Sequence, residues 1–286
     1  MKPYRVPQLA EKYMNYDMIQ NHTQLPSFPD ARVHLLYIFL QNSGRNTADQ
    51  EELYALVTSL VQLGLDTHES IDATTGSRGE SQMRSLQLKV LAGDYFSGRF
   101  YQLLAQSGSI SVISLLGRAV SDVNVMKMNL YSKMREMKLT AEEYLKHMVQ
   151  LNMQLFLSFA SLLEEAVQDN FKALLTQVSQ CETLIREMDR CSSPETGRQG
   201  YGYWYLLEQV NDEERRLLTG DKSDAKDWRK LVLKHKVMER LLDKLRESVQ
   251  AARQLIPGRH PEGQFELMLE PFLKRLGTYR TVVSEG

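Results

Sequence analysis

Apolar residues recur along this chain at three- and four-residue steps, and runs alternating strictly with period two are absent. Such spacing lays one apolar stripe along a helix and gives a strand no single face to bury. The eight prolines (Pro3, Pro7, Pro26, Pro29, Pro194, Pro257, Pro261 and Pro271) lie near the ends or in apparent breaks. None falls between Pro29 and Pro194, so helices there run without a missing backbone donor. The fold class expected is all-α, a single helical-bundle domain over 1–286.

The pattern predicts helices over 8–21, 29–42, 48–70, 81–106, 109–136, 141–169, 170–190, 201–218, 223–255 and 263–277. Asn46-Thr-Ala-Asp-Gln-Glu51 carries the capping residues of a helix start, and Thr140-Ala-Glu-Glu143 is a capping box. Asp72-Ala-Thr-Thr-Gly-Ser-Arg-Gly79 is a polar loop, and Cys191 to Gly200 is the longest break. No fixed-period repeat points to a solenoid. The most hydrophobic stretch, Met148 to Leu163, carries Gln150, Asn152 and Gln154. It is shorter than the roughly 20 apolar residues of a membrane span, and reads as a helix buried in protein.

Composition narrows the classes. A hydrophobic share of 42% with 25% charged residues is ordinary for a globular protein. A formal net charge of −1 excludes a general nucleic-acid binder, which needs a net basic surface. Cys181 and Cys191 are the only cysteines. They are too few for a disulfide framework, and with no clustered Cys/His spacing they make no zinc site. Met1-Lys-Pro-Tyr-Arg-Val-Pro7 lacks the apolar run of a signal peptide, so a cytoplasmic protein is expected.

Two segments carry the chemistry, or its remains. Leu56-Val-Thr-Ser-Leu-Val-Gln-Leu-Gly-Leu-Asp-Thr-His-Glu-Ser-Ile-Asp72 is followed by Val90-Leu-Ala-Gly-Asp-Tyr-Phe96. Together they resemble the trans-polyprenyl diphosphate synthases. In that family the first helix ends in D-D-x-x-D, which grips magnesium and a substrate diphosphate. Here those positions read His68-Glu69-Ser70-Ile71-Asp72. Magnesium is hard and wants oxygen ligands, so His68 is a poor substitute. Glu69 and Asp72, three residues apart, offer at best a partial site or simply solvate a helix end.

The resemblance weakens at every other diphosphate-binding element. The family's R-R-G is Ser77-Arg78-Gly79 here, with Arg78 the residual arginine. The G-G-K-R region reads Gln24-Leu-Pro-Ser-Phe-Pro-Asp-Ala-Arg32, and the Lys-Thr pair aligns with Leu151-Asn152. A second Asp-rich motif has no counterpart: Asp212-Glu213-Glu214 and Asp221, Asp224 and Asp227 stand in polar, cap-like contexts.

The packing frame, by contrast, is kept. Val90 to Ala105 matches the helix that builds the family's subunit interface, and 109–136 continues the match. Gly93 and Gly98 suit close helix approach. Leu91, Tyr95, Phe96, Phe100 and Leu103 are apolar around most of the helix, which fits burial within this chain as well as contact with a second subunit or a product tunnel. Leu63 and Gly64 occupy positions that limit chain length in homodimeric relatives.

Over Ala48 to Phe159, and at Tyr201-Gly-Tyr-Trp-Tyr-Leu-Leu-Glu208, the chain is similar to the small, non-catalytic components of heterodimeric heptaprenyl diphosphate synthases of menaquinone-making bacteria. That resemblance implies an isoprenoid-synthase-type bundle with no metal or cofactor of its own. It implies a catalytic partner whose intact Asp-rich motifs hold magnesium and bind farnesyl and isopentenyl diphosphate.

Two other readings stay open. One is a stand-alone enzyme using Glu69 and Asp72. The other is an all-α adaptor with no role in prenyl transfer, which would bind a partner or an anionic membrane surface through Lys226 to Arg246. That segment holds Lys226, Arg229, Lys230, Lys234, Lys236, Arg240, Lys244 and Arg246, with Leu231, Val237, Met238, Leu241, Leu242 and Leu245 opposite.

Overall fold

The computed structural model describes residues 3–20, 24–71, 79–220, 225–256 and 263–284, the side chains of Met18, Gln20, Ser81, Gln82 and 279–284 excepted. Among these residues the secondary structure is helical throughout, with no strand. The chain groups into two compact units, Met1–Val120 with Leu155–Phe171, and Ser121–Gln154 with Lys172–Gly286.

The first unit holds α1 (Val6–Met14), α2 (Asp17–Gln20), α3 (Asp30–Asn42), α4 (Ala48–Glu69) and α5 (Glu80–Gln106). It also takes the first half of α6 (Ile110–Arg135), the end of α7 (Ala141–Leu157) and the start of α8 (Glu165–Arg190). Residues Ala31 to Leu40 of α3 are all buried, as are Tyr54 to Gly64 of α4. Both helices are apolar around most of their circumference, and such helices stand only where neighbours cover them on every side. Thr47 starts α4 as a capping box with Gln50, satisfying two orphan donors of the first turn.

The helix expected over 141–169 is interrupted. α7 ends at Leu157, a 3₁₀ turn covers Ser158–Leu162, and Leu163 is extended before α8. Ser158 Oγ donates back to the Leu155 carbonyl at 2.6 Å. The Leu163 carbonyl, freed from the ladder, accepts from Arg45 Nη1 and Gln168 Nε2, both at 3.2 Å. Hydroxyl back-bonding and an outside donor thus end a helix that carries neither glycine nor proline.

The second unit holds the rest of α6, α7 and α8, then α9 (Pro194–Gly197), α10 (Tyr201–Gln209), α11 (Asp212–Thr219), α12 (Ala225–Lys234), α13 (Val237–Leu255) and α14 (Gln264–Ser284). Two expected helices divide here. Val210 turns extended and Asn211 opens α11 as a capping box with Glu214, so the Asp212-Glu213-Glu214 cluster is a helix start. Lys236 takes a left-handed φ of 54° between α12 and α13. Pro271 lies inside α14, within the helix expected over 263–277.

Candidate functional site

The end of α4 carries His68 and Glu69 of the degenerate motif. The ring of His68 lies against the backbone of Gly93 on α5: a methyl group on Gly93 would stand 2.5–2.8 Å from three of its ring atoms. His68 Nε2 is 3.5 Å from Asp94 Oδ1. The helix stops in place, with the Ser70 amide on the Asp66 carbonyl at 3.0 Å and Ser70 Oγ on the Thr67 carbonyl at 2.7 Å. Lys89 Nζ donates to the Ser70 carbonyl at 3.3 Å. Glu69 is exposed, and Asp72 and Arg78 lie outside the described residues.

One turn earlier Gly64 meets α5 as well. A Cβ there would lie 3.2 Å from the Gly93 carbonyl and Ser97 Oγ, and 3.6 Å from Phe96 Cβ. Gly64 therefore faces α5, and Leu63 beside it is fully buried. On α5 itself the candidates separate. Phe96 and Phe100 are buried within the unit and out of reach of a second subunit. Tyr95 and Leu103 are half-buried, and Leu91 is 61% exposed. Tyr95 stacks with Tyr16 at 5.9 Å and lies under the Arg99 guanidinium. Gly93 makes the close approach anticipated for it, whereas nothing comes near the Cβ position of Gly98.

A buried polar row runs beside this crossing. Arg32, almost wholly buried, donates to Gln62 Oε1 at 3.4 Å and stands 5.0 Å from the centre of the Phe156 ring. Gln62 Nε2 donates to Asp66 Oδ1 at 2.8 Å. Asp66 Oδ2 is buried with no hydrogen-bond partner among the described residues. The available signal was Gln62 and Asp66 one turn apart on an otherwise apolar helix.

In the second unit Leu151 and Asn152 are buried, and Asn152 Nδ2 donates to Thr183 Oγ1 on α8 at 2.8 Å. Asn152 thereby ties α7 to α8. The aromatic segment is held by an interior carboxylate. Glu187, fully buried, accepts from the Tyr201 amide at 2.6 Å and from Arg190 Nη1 at 3.1 Å, with the Tyr144 hydroxyl at 3.2 Å. An added Cβ at Gly197 would strike Trp228, one at Gly200 Glu187, and one at Gly202 Cys191 Sγ. The Trp228 indole donates to the Cys191 carbonyl at 2.9 Å. These glycines hold the backbone close to bulky buried groups.

Residues 16–252 match the sequence model of a family described as heptaprenyl diphosphate synthase (HEPPP synthase) subunit 1. The chain belongs to this subunit 1 family. A curated relative, heptaprenyl diphosphate synthase component 1 of Geobacillus stearothermophilus, is 29% identical over 178 residues. That match covers 62% of this chain and 64% of the relative, just under two thirds of its length. The fold is that of solved polyprenyl synthases. A decaprenyl diphosphate synthase of Rhodobacter capsulatus superposes with a TM-score of 0.66 at 13% identity, covering 96% of this chain and 94% of that one. Heptaprenyl diphosphate synthase of Staphylococcus aureus gives 0.64 at 14% identity, covering 96% of each.

For a member of the subunit 1 family the metal question is then specific. Magnesium wants several convergent oxygens. Among the described residues no group of three or more His, Cys, Asp or Glu side chains is placed to hold a metal ion. His68, seated on Gly93, gives a nitrogen where the motif needs a carboxylate.

The basic segment is largely engaged within its own unit. Lys234 and His235 pair with Glu214, Lys236 with Glu239, Arg240 and Lys244 with Glu142, and Arg246 with Asp243. Exposed pairs of this kind add little to stability, but they occupy the charges a lipid surface would use. No helix among the described residues is long and apolar enough to cross a membrane.

Proposed function

We propose that this chain is a non-catalytic, cytosolic subunit of a heptaprenyl diphosphate synthase. A partner with intact Asp-rich motifs and magnesium condenses isopentenyl diphosphate onto farnesyl diphosphate, and the product serves as a menaquinone side chain. The observation that carries this reading is the His68 ring on Gly93. The first metal-ligand position has become a packing contact while the frame around it stands.

The partner docks through α5, where Val90, Leu91 and Tyr101 are exposed large apolar residues. Apolar groups of this size left in water mark association surfaces, since their burial returns roughly 25 cal/mol per Å². The subunit stabilises the partner and contributes to setting product length. A weaker second contact, with anionic lipid, would fall to the exposed Lys226, Arg229 and Lys230.

Purification alone and with the partner, followed by a prenyl-transfer assay with magnesium, tests the reading. The isolated chain is expected inactive and the pair active; turnover by the chain alone refutes it. Leu91→Glu and Tyr101→Glu should abolish assembly without lowering the melting temperature. Assembly of both variants at wild-type strength would place the interface elsewhere.

A further inference from the structure

Helix α12 is seated on one side and charged on the other. Trp228, Leu231 and Val232 are its buried residues. The Trp228 indole is tied to the Cys191 carbonyl at 2.9 Å, so the helix is held against rolling. Away from that side stand Lys226, Arg229, Lys230 and Leu233, all exposed. Their i, i+3, i+4, i+7 spacing puts the four on one face, spread over about 10 Å of helix. Asp227, the helix's one carboxylate, is turned about 100° from Lys226 and is half-buried.

Leu233 is 76% exposed, more than any other large apolar side chain among the described residues. A single exposed leucine is ordinary, but this one shares its face with three cations. Lys234 and Lys236 nearby are paired with Glu214 and Glu239. Lys226, Arg229 and Lys230 take part in no side-chain ion pair or hydrogen bond among the described residues. The face thus offers uncompensated positive charge beside an aliphatic tip. Nucleic acid would meet the charges and leave the leucine in water. Four residues also fall far short of the roughly 20–30 a side of a stable protein interface. An anionic lipid surface satisfies both kinds of group, with phosphates at the level of the cations and acyl carbon just below them.

We infer that this face of α12 docks reversibly on an anionic lipid surface, with Leu233 entering the acyl boundary while Lys226, Arg229 and Lys230 stay among the phosphates. The inference rests on the lipid contact proposed above for these cations, and adds the side chain that enters the bilayer. Each such cation near an anionic surface raises binding about fivefold, and a leucine entering acyl carbon about tenfold. Neither suffices alone, since a weak apolar anchor is marginal without a basic patch.

Co-sedimentation of the full chain with vesicles of equal phosphatidylglycerol and phosphatidylcholine, against phosphatidylcholine alone, tests it. Binding to the mixed vesicles should exceed binding to the neutral ones at least about tenfold. Leu233→Ser should weaken it about tenfold, and Arg229→Gln combined with Lys230→Gln about 25-fold. The emission of Leu233→Trp, less the wild-type spectrum, should shift to the blue on mixed vesicles. Unchanged melting temperatures certify that the variants fold. Wild-type binding by Leu233→Ser, with no blue shift in Leu233→Trp, would overturn the insertion and leave a purely electrostatic contact. Absence of binding to mixed vesicles would overturn the lipid contact itself. Duplex DNA bound as tightly as the vesicles, by wild type and Leu233→Ser alike, would mark a general polyanion surface and overturn the inference as well.

Discussion

The imidazole of His68 lies against the backbone of Gly93, so that the ring and any side chain at position 93 compete for one space. A methyl group at Gly93 would enter the space of three ring atoms. Gly93→Ala should therefore destabilise the protein by about 1 kcal/mol, as overpacking against a displaceable ring does. In a His68→Ala background the same change should be neutral or stabilising, because alanine is the better helix former. A double-mutant cycle from urea unfolding measures the coupling. Additive effects would show that the ring does not rest on Gly93.

The third glycine contact predicts a larger effect. Trp228 is fully buried against Gly197, and its indole N–H is tied to the Cys191 carbonyl. Gly197→Ala should cost about 2–4 kcal/mol, in the range for a rigid core overlap. In a Trp204→Phe background, fluorescence reports Trp228 alone, and its emission should shift to the red in the variant. An unshifted spectrum with unchanged unfolding would contradict the packing.

How much of this was legible depended on whether the cause was local. The apolar runs of α3 and the capping boxes at Thr47 and Thr140 lie in adjacent residues, and these helices start as the pattern predicts. The stop after Leu157 is only partly local, because beside the Ser158 back-bond it depends on a remote donor, Arg45, reaching the Leu163 carbonyl. The division at Lys236 left no mark either, since lysine rarely takes a left-handed φ. At α11 the cap-like context of Asp212-Glu213-Glu214 was legible, but not that Asn211 would divide the helix expected over 201–218. The histidine at position 68, where the resembled motif begins with a carboxylate, was visible in the sequence. Its seat on Gly93 was not, since that depends on how α4 crosses α5.

Glu187 makes the second unit sensitive to a single charge. Its carboxylate is surrounded by donors, the Tyr201 amide, Arg190 and the Tyr144 hydroxyl. Glu187→Gln puts an amide NH₂ against those donors and strips Arg190 of its counter-charge. The expected loss is about 2–4 kcal/mol. The Tyr201 amide should also exchange hydrogen faster in the variant, because it caps the start of α10 through this contact. Exchange at the wild-type rate would mean that another acceptor holds it.

His34 gives the first unit an acid-labile element. The residue is 5% exposed, and its ring stacks on Tyr4 at 3.9 Å and has a buried Nε2 with no hydrogen-bond partner among the described residues. Burial lowers its pKa to about 4, against a smaller opposing pull from Asp30. The folded state thus holds histidine neutral while the unfolded chain protonates near its ordinary value of about 6.5. Above that value both states are neutral and the contribution to stability is complete. As pH falls from about 6.5 towards 4 only the unfolded chain gains the proton, and stability drops by about 3 kcal/mol before levelling off. Acidic groups elsewhere also titrate in this range, so the measure is the difference from His34→Phe, which keeps the stack and cannot protonate. Denaturant unfolding at pH 7 and pH 4.5 should show the wild type losing about 2–3 kcal/mol more than the variant. Parallel losses would show that His34 is protonated, or reaches solvent, in the folded protein.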